Sequence, residues 1–343
     1  MHVIRWSRYP TLTANDDAKR WLQSVADLGL APNTVEAYGR GVEQYLFFSR
    51  SKGVAPDKAR RDHIAAYVRF ASSKKPRAVG DETELAANAT LQQRITALRL
   101  YFDFLVQEQS IEVNPVGRGH YVPGASVGGM RHRGLIPRHR KLPWIPGESE
   151  WAALLPFVKA KAIRHRLMFC LAYDSALRRE ELCSLRTEDF DPSRRLLNIR
   201  AEITKNKTQR VVPYSMTSSR LFQEYLRDRR TLGSSRGPLF LSTSNRNCGK
   251  PLSFWSWSKE ICALADESNV IELSTHTFRH LRLTDLTRSG WDVHEIAKFA
   301  GHRSIQTTLL YIHLSGVELA AKVANTIAEL TSTRLALLSG GVQ

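Results

Sequence analysis

The sequence predicts a mainly α protein with two domains: a four-helix N-terminal domain, and a mixed α/β domain with a small antiparallel sheet. The chain has 343 residues, which is enough for two domains of ordinary size. Apolar residues recur at helical spacing in both halves, and one pair of β-type runs flanks a polar turn in the second half. A hydrophobic content of 42% and a charged content of 24% are ordinary for globular proteins and exclude wholesale disorder.

Positive charge dominates the composition. Fifty Lys and Arg residues against 33 Asp and Glu residues give a net charge of +17. Such a surplus favours a polyanionic partner, most commonly nucleic acid, although a basic solubility surface would have the same composition.

Cysteine use and the chain's N-terminal residues indicate the cellular compartment. The four cysteines form no CxxC pair, so a secreted disulfide framework is not expected. The N-terminus lacks an apolar signal core, and no stretch approaches the length of a membrane span. We therefore expect a cytoplasmic protein with no membrane partner.

The N-terminal domain begins with two helices. Thr13 and Asp16 suit the start of the first, and Gly29 ends it. Asn33 is predicted to cap the second, with Glu36 three residues later as in a capping box.

Two further helices complete this domain, one from Arg61 to Ser72 and one from about Leu91, with no convincing strand between them. The helix–loop junctions are basic and are predicted to contact DNA phosphates, although a solvated helix rim would have similar charges. These cations are Arg60, Arg61, Lys74, Lys75 and Arg77.

A linker is predicted between the domains. From Gly117 to Lys141, glycine and proline recur, and there is neither a helical period nor an acidic residue. Its cations, notably Arg138, Arg140 and Lys141, are predicted DNA contacts; the alternative is a hinge whose charges only keep it soluble. The predicted divisions are 1–12 (extension), 13–115 (helical domain), 116–145 (linker), 146–323 (α/β domain) and 324–343 (C-terminal helix and tail).

The second domain is predicted to alternate helices with one hairpin. Two strands, Leu196–Ile203 and Gln209–Tyr214, flank the turn that contains Lys205. Helices are predicted at Glu148–Lys159, Ala162–Leu177, Thr217–Thr231, Phe254–Asp266, Phe278–Ser289, Val293–Phe299, Ser304–Tyr311 and Val317–Leu338.

Arginine and lysine supply the first candidate site residues. Arg178 follows an apolar helix and can clamp two phosphate oxygens, with Glu181 one helical turn away to orient it. Lys205, at the hairpin turn, can protonate a leaving alkoxide, and Lys207 competes for that role. Taken singly, a surface ion pair would be the commoner explanation of Arg178, and a charged turn that of Lys205.

Histidines and a tyrosine supply the others. His276 and Arg279 share a face at a helix start. His276 and His280 also have the spacing of a zinc pair, but no HExxH accompanies them, and we expect no metal. His302 sits in a turn after Gly301, and Tyr311 follows at the end of a short helix, where a tyrosine is more often a core residue.

The order of these residues resembles the tyrosine recombinases of the phage integrase family. Ser-Ala-Leu-Arg178-Arg-Glu-Glu181-Leu is similar to the family's first arginine box, and Thr-Lys205-Asn-Lys-Thr-Gln-Arg-Val-Val-Pro to its lysine hairpin. His276-Thr-Phe-Arg279-His is similar to its H-x-x-R-H box, and Gly-His302 followed by Thr-Thr-Leu-Leu-Tyr311 to its nucleophile segment.

Two departures from the family pattern leave these groups in place: Ala176 stands where glycine is common, and Phe299-Ala300 replaces Leu-Leu. The N-terminal domain is similar to the family's core-binding (SAM-like) domain through Asn33-Thr-Val-Glu-Ala-Tyr38.

The resemblance implies a site-specific DNA recombinase. Tyr311 would attack the scissile phosphate to form a 3′-phosphotyrosyl link, and Lys205 would protonate the departing 5′-hydroxyl. Arg178 and Arg279 would stabilise the phosphorane, and His276 and His302 would assist. No cofactor is implied. The implied partners are duplex DNA, a homotetramer formed on two DNA sites, and accessory DNA-bending or partner recombinase proteins.

Two other functions share parts of this pattern. A type IB topoisomerase uses similar chemistry but relaxes supercoils as a monomer, and a non-catalytic DNA-binding relative would retain only the fold. The helical domain and the predicted C-terminal helix favour recombination.

Overall fold

The computed structural model describes residues 3–72, 88–117, 142–233 and 235–314. The chain divides into two compact units, Met1–Arg140 and Lys141–Gln343. Within the described residues, no helix combines the length and the apolar character that crossing a membrane requires. Several sequence predictions lie outside these ranges, namely those for the C-terminal helix 317–338 and for Lys74, Lys75, Arg77, Arg138, Arg140 and Lys141.

The first unit is helical throughout its described residues, with a central pair of long helices, α3 and α5, packed against each other. Its helices are α1 (Pro10–Thr13), α2 (Asp16–Asp27), α3 (Pro32–Ser51), α4 (Arg61–Ser72) and α5 (Asn88–Gln107). Aromatic rings dominate its core: Tyr45 meets both Tyr67 and Phe102 edge-on. Tyr9 and Leu12, from the predicted N-terminal extension, are buried in the same core.

One predicted helix start in this unit is confirmed and the other is wrong. Helix α2 begins at Asp16, and the side chain of Asn15 caps it by accepting a hydrogen bond from the backbone N–H of Ala18. Helix α3 already begins at Pro32, so Asn33 lies inside the helix and cannot cap it. A proline at the first helical position has the required φ and lacks an N–H that would need a cap.

The second unit contains a three-stranded antiparallel sheet together with helices. The strands are β1 (Phe190–Asp191), β2 (Leu196–Ile199) and β3 (Arg210–Pro213), in the order β1-β2-β3, with Leu197 opposite Val212. The helices are α6 (Glu148–Ala160), α7 (Ile163–Asp174), α8 (Arg179–Cys183), α9 (Met216–Arg229), α10 (Phe254–Ser268), α11 (Thr277–Arg288), α12 (Val293–Ala300) and α13 (Ile305–Leu314).

The predicted elements of this unit that fall within the described residues are present, but two of them end three or four residues early. Strand β2 stops at Ile199 because Ala201–Ile203 form a 3-10 turn. Helix α7 stops at Asp174 because Ala176 adopts a left-handed conformation (φ 45°), which ends the helical hydrogen-bond pattern. The chain then turns into the short helix α8, which the sequence did not predict.

Candidate active site

Arg178 is placed by the sharp turn between α7 and α8. Ala176 and Leu177 are buried there, so the chain leaves the core at Arg178, the residue that precedes α8. One guanidinium nitrogen of Arg178 lies 3.4 Å from the backbone carbonyl of Gly301. The α7–α8 turn and the turn after α12 therefore meet at this side chain.

Glu181 holds two arginines and is itself almost fully buried. It accepts hydrogen bonds from the backbone N–H of Arg178 (2.9 Å) and from Nη1 of the same residue (2.8 Å). Arg210, on β3, donates to both carboxylate oxygens at 3.0 and 2.7 Å. Although burial alone would raise the pKa of Glu181, Arg210 and Arg178 lower it to about 2. The carboxylate therefore orients Arg178, as predicted, and joins it to the sheet.

Arg279 is buried in the first turn of α11, where its side chain bridges two turns of backbone. Its guanidinium donates to the carbonyls of Ala176 (2.5 Å) and Ala300 (2.6 Å). Burial, followed by the charge of Arg178, lowers its pKa to about 9, so it remains a cation at neutral pH. A buried, fixed cation of this kind can stabilise charge that develops on phosphate oxygens.

His302 is fixed at both ring nitrogens. Its Nε2 lies 3.0 Å from Nη2 of Arg279, and its Nδ1 lies 2.8 Å from the hydroxyl of Thr308. The turn that carries it begins at Gly301, which ends α12 with φ 63°, and the His302 N–H donates to the carbonyl of Ala297. Burial and the neighbouring Arg279 lower the pKa of His302 to about 3, so its ring is neutral.

Tyr311, on α13, lies inside the same cluster, and only 2% of its surface is exposed. Its ring stacks on that of His302, with centroids 6.1 Å apart and planes 6° apart. Its hydroxyl lies 3.0 Å from Nδ1 of His280. Burial raises the pKa of the phenol, whereas the charges of Arg279 and Arg178 lower it.

His276 stands at the start of α11, one turn before His280, with ring centroids 6.1 Å apart. Its side chain remains exposed. Partial desolvation and the charge of Arg279 lower its pKa, although Glu180 acts in the opposite direction. An exposed imidazole beside two arginines can donate a hydrogen bond to an incoming phosphate.

Lys205 lies in the connection between β2 and β3 and is exposed. The turn is held by Thr204, whose hydroxyl accepts from the backbone N–H of Thr208. The neighbouring side chain of Asn206 donates to the carbonyl of Gly301 at 3.1 Å. That bond attaches the lysine turn to the backbone beside His302.

The structure thus brings Arg178, Glu181, His276, Arg279, His302 and Tyr311 into one cluster, with Lys205 in an exposed turn attached to it. The sequence did not assign a role in the site to Arg210 or His280. The position of Arg210 in the lysine hairpin segment and that of His280 in the H-x-x-R-H box were the available signals, but their partners lie 29 and 31 residues away in sequence.

The remaining predictions concern DNA contacts outside this cluster and metal binding by histidines within it. Arg60 and Arg61, at the start of α4, are exposed in the first unit. Among the residues that the structure describes, no three or more His, Cys, Asp or Glu side chains form a group that could hold a metal ion.

Family comparisons match both units. The phage integrase family model matches residues 147–317, and the model of the phage integrase N-terminal SAM-like domain matches residues 18–109. The tyrosine recombinase XerC of Roseiflexus castenholzii is 26% identical over 309 residues, covering 88% of this chain and 90% of that protein. The tyrosine recombinase XerD of Ralstonia nicotianae is 26% identical, covering 86% and 87%. Transposase A from transposon Tn554 of Staphylococcus aureus is 24% identical, covering 86% of each chain.

Solved structures with the same fold include two that contain DNA. The Tn1549 transposon integrase in complex with transposon right end DNA aligns with a TM-score of 0.63 at 16% identity, covering 89% of this chain and 98% of that one. The XerH site-specific recombinase bound to its difH substrate aligns with a TM-score of 0.58 at 17% identity, covering 81% and 74%.

Proposed function

The chain belongs to the phage integrase family of tyrosine recombinases, and we propose that Tyr311 is the nucleophile with which it cuts and rejoins duplex DNA at specific sites. Enzymes of this family break and rejoin DNA, and site-specific recombination is the function that the two matched domains and the named relatives support.

One observation carries the assignment of Tyr311. Its phenol is buried between two histidines and beside the fixed guanidinium of Arg279, at the end of the segment that also carries His302. A buried tyrosine of purely structural use is usually surrounded by apolar side chains or bonded to backbone. Tyr311 instead lies among groups that bind phosphate and move protons.

The proposed step transfers a phosphoryl group between oxygens. The Tyr311 oxygen forms a bond to phosphorus while the bond from phosphorus to the 5′-oxygen breaks. Arg178 and Arg279 bind the non-bridging oxygens as their charge increases, His276 contributes to the same anion site, and His302 holds the guanidinium of Arg279 in place. Lys205 delivers a proton to the departing 5′-oxygen. The reverse reaction, with a 5′-hydroxyl from the other strand, completes the exchange without ATP.

Replacing the phenol tests the nucleophile. Tyr311→Phe removes one oxygen, and we expect DNA affinity to persist while the covalent protein–DNA complex disappears on a nicked suicide substrate. Tyr214→Phe is the matched control: Tyr214 is also buried in this unit, its hydroxyl makes only a 3.4 Å bond to the carbonyl of Asp191, and the variant should still form the complex. A covalent complex formed by Tyr311→Phe would show that another residue attacks.

Assembly on DNA forms the second part of the proposal. Two sequential strand exchanges require four active sites, so we propose a homotetramer bound to two DNA sites, with accessory DNA-bending or partner recombinase proteins in some reactions. A DNA substrate also favours the predicted cytoplasmic location. Sedimentation of the protein with a duplex carrying its site should show a four-subunit complex; complexes with one subunit only would contradict it.

The topoisomerase alternative is tested on the same preparation. Relatives named tyrosine recombinase and transposase favour exchange between two sites. Exchange of a two-site plasmid without efficient relaxation of a site-free plasmid is the expected result. Relaxation of the site-free plasmid as a monomer would favour the topoisomerase.

A further inference from the structure

The proton of Tyr311 has to leave before or as its oxygen bonds to phosphorus, and His302 is poorly placed to take it. A guanidinium only donates hydrogen bonds, so the Nε2 of His302, 3.0 Å from Arg279, must be the acceptor in that contact. In a neutral ring the other nitrogen then carries the hydrogen, and it faces the Thr308 hydroxyl at 2.8 Å. Neither nitrogen is available to the phenol that stacks on the ring.

His280 has the geometry that His302 lacks. Its Nδ1 lies 3.0 Å from the Tyr311 hydroxyl, which is ordinary hydrogen-bonding distance for a base and its proton source. The two rings are 5.8 Å apart, in addition to the stacked contact of Tyr311 with His302. Tyr311 therefore contacts one histidine through its ring face and the other through its reactive oxygen.

We propose that His280 is a catalytic residue, the general base that accepts the phenolic proton of Tyr311 at Nδ1. This inference rests on the proposed function, because it requires Tyr311 to be the nucleophile. As the bond from the Tyr311 oxygen to phosphorus forms, its proton moves to His280, and the bond to the 5′-oxygen breaks with a proton from Lys205. In the rejoining step His280 returns the proton to Tyr311.

The surroundings of His280 keep it able to accept a proton. Burial, then His276 and Arg279 on the same helix, lower its pKa to about 4, so the ring is neutral at physiological pH. Tyr311 faces it from α13, and His302, Arg178 and Arg210 lie in the same cluster. A DNA phosphate would bring negative charge to these cations and shift the balance toward a protonated His280.

The test isolates activation of the nucleophile from protonation of the leaving group. In a suicide duplex with a 5′-bridging phosphorothiolate, the leaving group is a 5′-thiolate, which needs little protonation by an acid. The single-turnover cleavage rate of this substrate therefore reports the attack by Tyr311. His280→Asn keeps an acceptor near the position of Nδ1 but cannot take a proton. His280→Ala opens space for added imidazole, and His294→Asn, at an exposed histidine of α12, is the matched control.

We expect His280→Asn to slow cleavage by about 10²–10⁴-fold, the usual range for general base catalysis, with DNA affinity unchanged. Its rate should rise about tenfold per pH unit toward the pKa of the Tyr311 phenol, which burial raises above its ordinary value, whereas the wild-type rate levels off at lower pH. Imidazole should restore cleavage by His280→Ala, and His294→Asn should match the wild type.

Two outcomes overturn the inference: a His280→Asn rate within about threefold of wild type, or a slower rate whose pH profile is unchanged. If Asn prevents folding, as melting curves would show, absence of imidazole rescue in folded His280→Ala decides against it. None of these results alters the assignment of Tyr311. Only a covalent complex formed by Tyr311→Phe would overturn the assignment of Tyr311 as the nucleophile.

Discussion

Lys205 and Lys207 lie in one exposed turn, but their surroundings differ. The ammonium of Lys207 lies 3.5 Å from the backbone carbonyl of Glu202, and its backbone is left-handed (φ 54°). Lys205 has no hydrogen bond or ion pair with any residue that the structure describes, and its neighbour Asn206 attaches the turn to Gly301. Lys205 is therefore the better candidate for the general acid.

Sulfur substitution should separate the two lysines. Lys205→Ala should cleave ordinary DNA about 10²–10⁴-fold more slowly and recover on a 5′-bridging phosphorothiolate strand. Arg178→Ala should not recover, because it acts on the non-bridging oxygens. If the sulfur-substituted strand restores cleavage by Lys207→Ala and not by Lys205→Ala, the general acid is Lys207. If it restores cleavage by neither variant, both lysines are DNA contacts only.

Glu181 should contribute strongly to stability and in a pH-dependent way. Glu181→Gln leaves Arg178 and Arg210 without their buried counter-charge, which should lower the free energy of unfolding by about 3 kcal/mol at neutral pH. Since the folded pKa of about 2 is below the ordinary value of 4.5, this contribution is complete above pH 4.5 and is lost as pH falls toward 2.

Urea unfolding of both proteins across this range measures the difference. The difference in the free energy of unfolding between the wild type and Glu181→Gln should disappear as the pH falls below 4.5. A gap that is constant with pH would mean that the charge of Glu181 is not what stabilises the fold.

The turn between α12 and α13 depends on a glycine. Gly301 has φ 63°, and a Cβ atom there would lie 3.1 Å from Nη1 of Arg210. Gly290, after α11, also has a positive φ (82°), but a Cβ there would meet nothing within 4 Å. Alanine substitutions at Gly290 and Gly301 therefore separate two destabilising effects. One is the left-handed backbone conformation, which both share, and the other is the contact of the added Cβ atom with Arg210, which occurs only at Gly301.

Gly290→Ala should lose about 1–2 kcal/mol of stability, the cost of a left-handed non-glycine residue, and keep its cleavage rate. Gly301→Ala should lose more stability and also cleave slowly, because displaced Arg210 and His302 no longer hold Glu181 and Arg279. Thermal melts and single-turnover cleavage measure the two effects. Equal cleavage by both variants would show that the close approach of Arg210 is unimportant.

DNA affinity should depend on cations of both units. Arg60 and Arg61 are exposed and form no ion pair with any described residue. If each binds one phosphate, the double Ala variant should reduce the slope of log affinity against log salt by about 1.8, at about 0.9 per phosphate. Arg20→Ala, at an exposed arginine paired with Asp17 and Glu108, is the control and should keep the slope. An unchanged slope in the double variant would place both arginines away from the DNA.

The whole reaction should proceed without a divalent metal. Arginines supply the positive charge at the candidate site, so covalent complex formation should persist in excess EDTA. Loss of cleavage that returns with added Zn²⁺ or Mg²⁺ would show that the histidines serve a metal instead.

Local signals explain what could be predicted. Helical periodicity and short-range motifs depend on neighbours within a few residues, and they indicated the long helices, the strand pair and the ordered set from Arg178 to Tyr311. Exact ends were less predictable. Ala176 ends α7 in a left-handed conformation although alanine is a good helix former, because tertiary packing overrides local propensity there.

By itself, the sequence determined the family resemblance, the two-domain organisation and which residue types carry the chemistry, since order and spacing along the chain suffice for these. Only the tertiary structure decided that Arg210 shares Glu181 with Arg178, that His302 is occupied by Arg279 and Thr308, and that His280 meets the Tyr311 hydroxyl. Apart from the pairs Arg178–Glu181 and His302–Thr308, these partners are more than twenty residues apart in sequence. Their contacts exist because helices and strands pack together, and no periodicity along the chain specifies which side chains then meet.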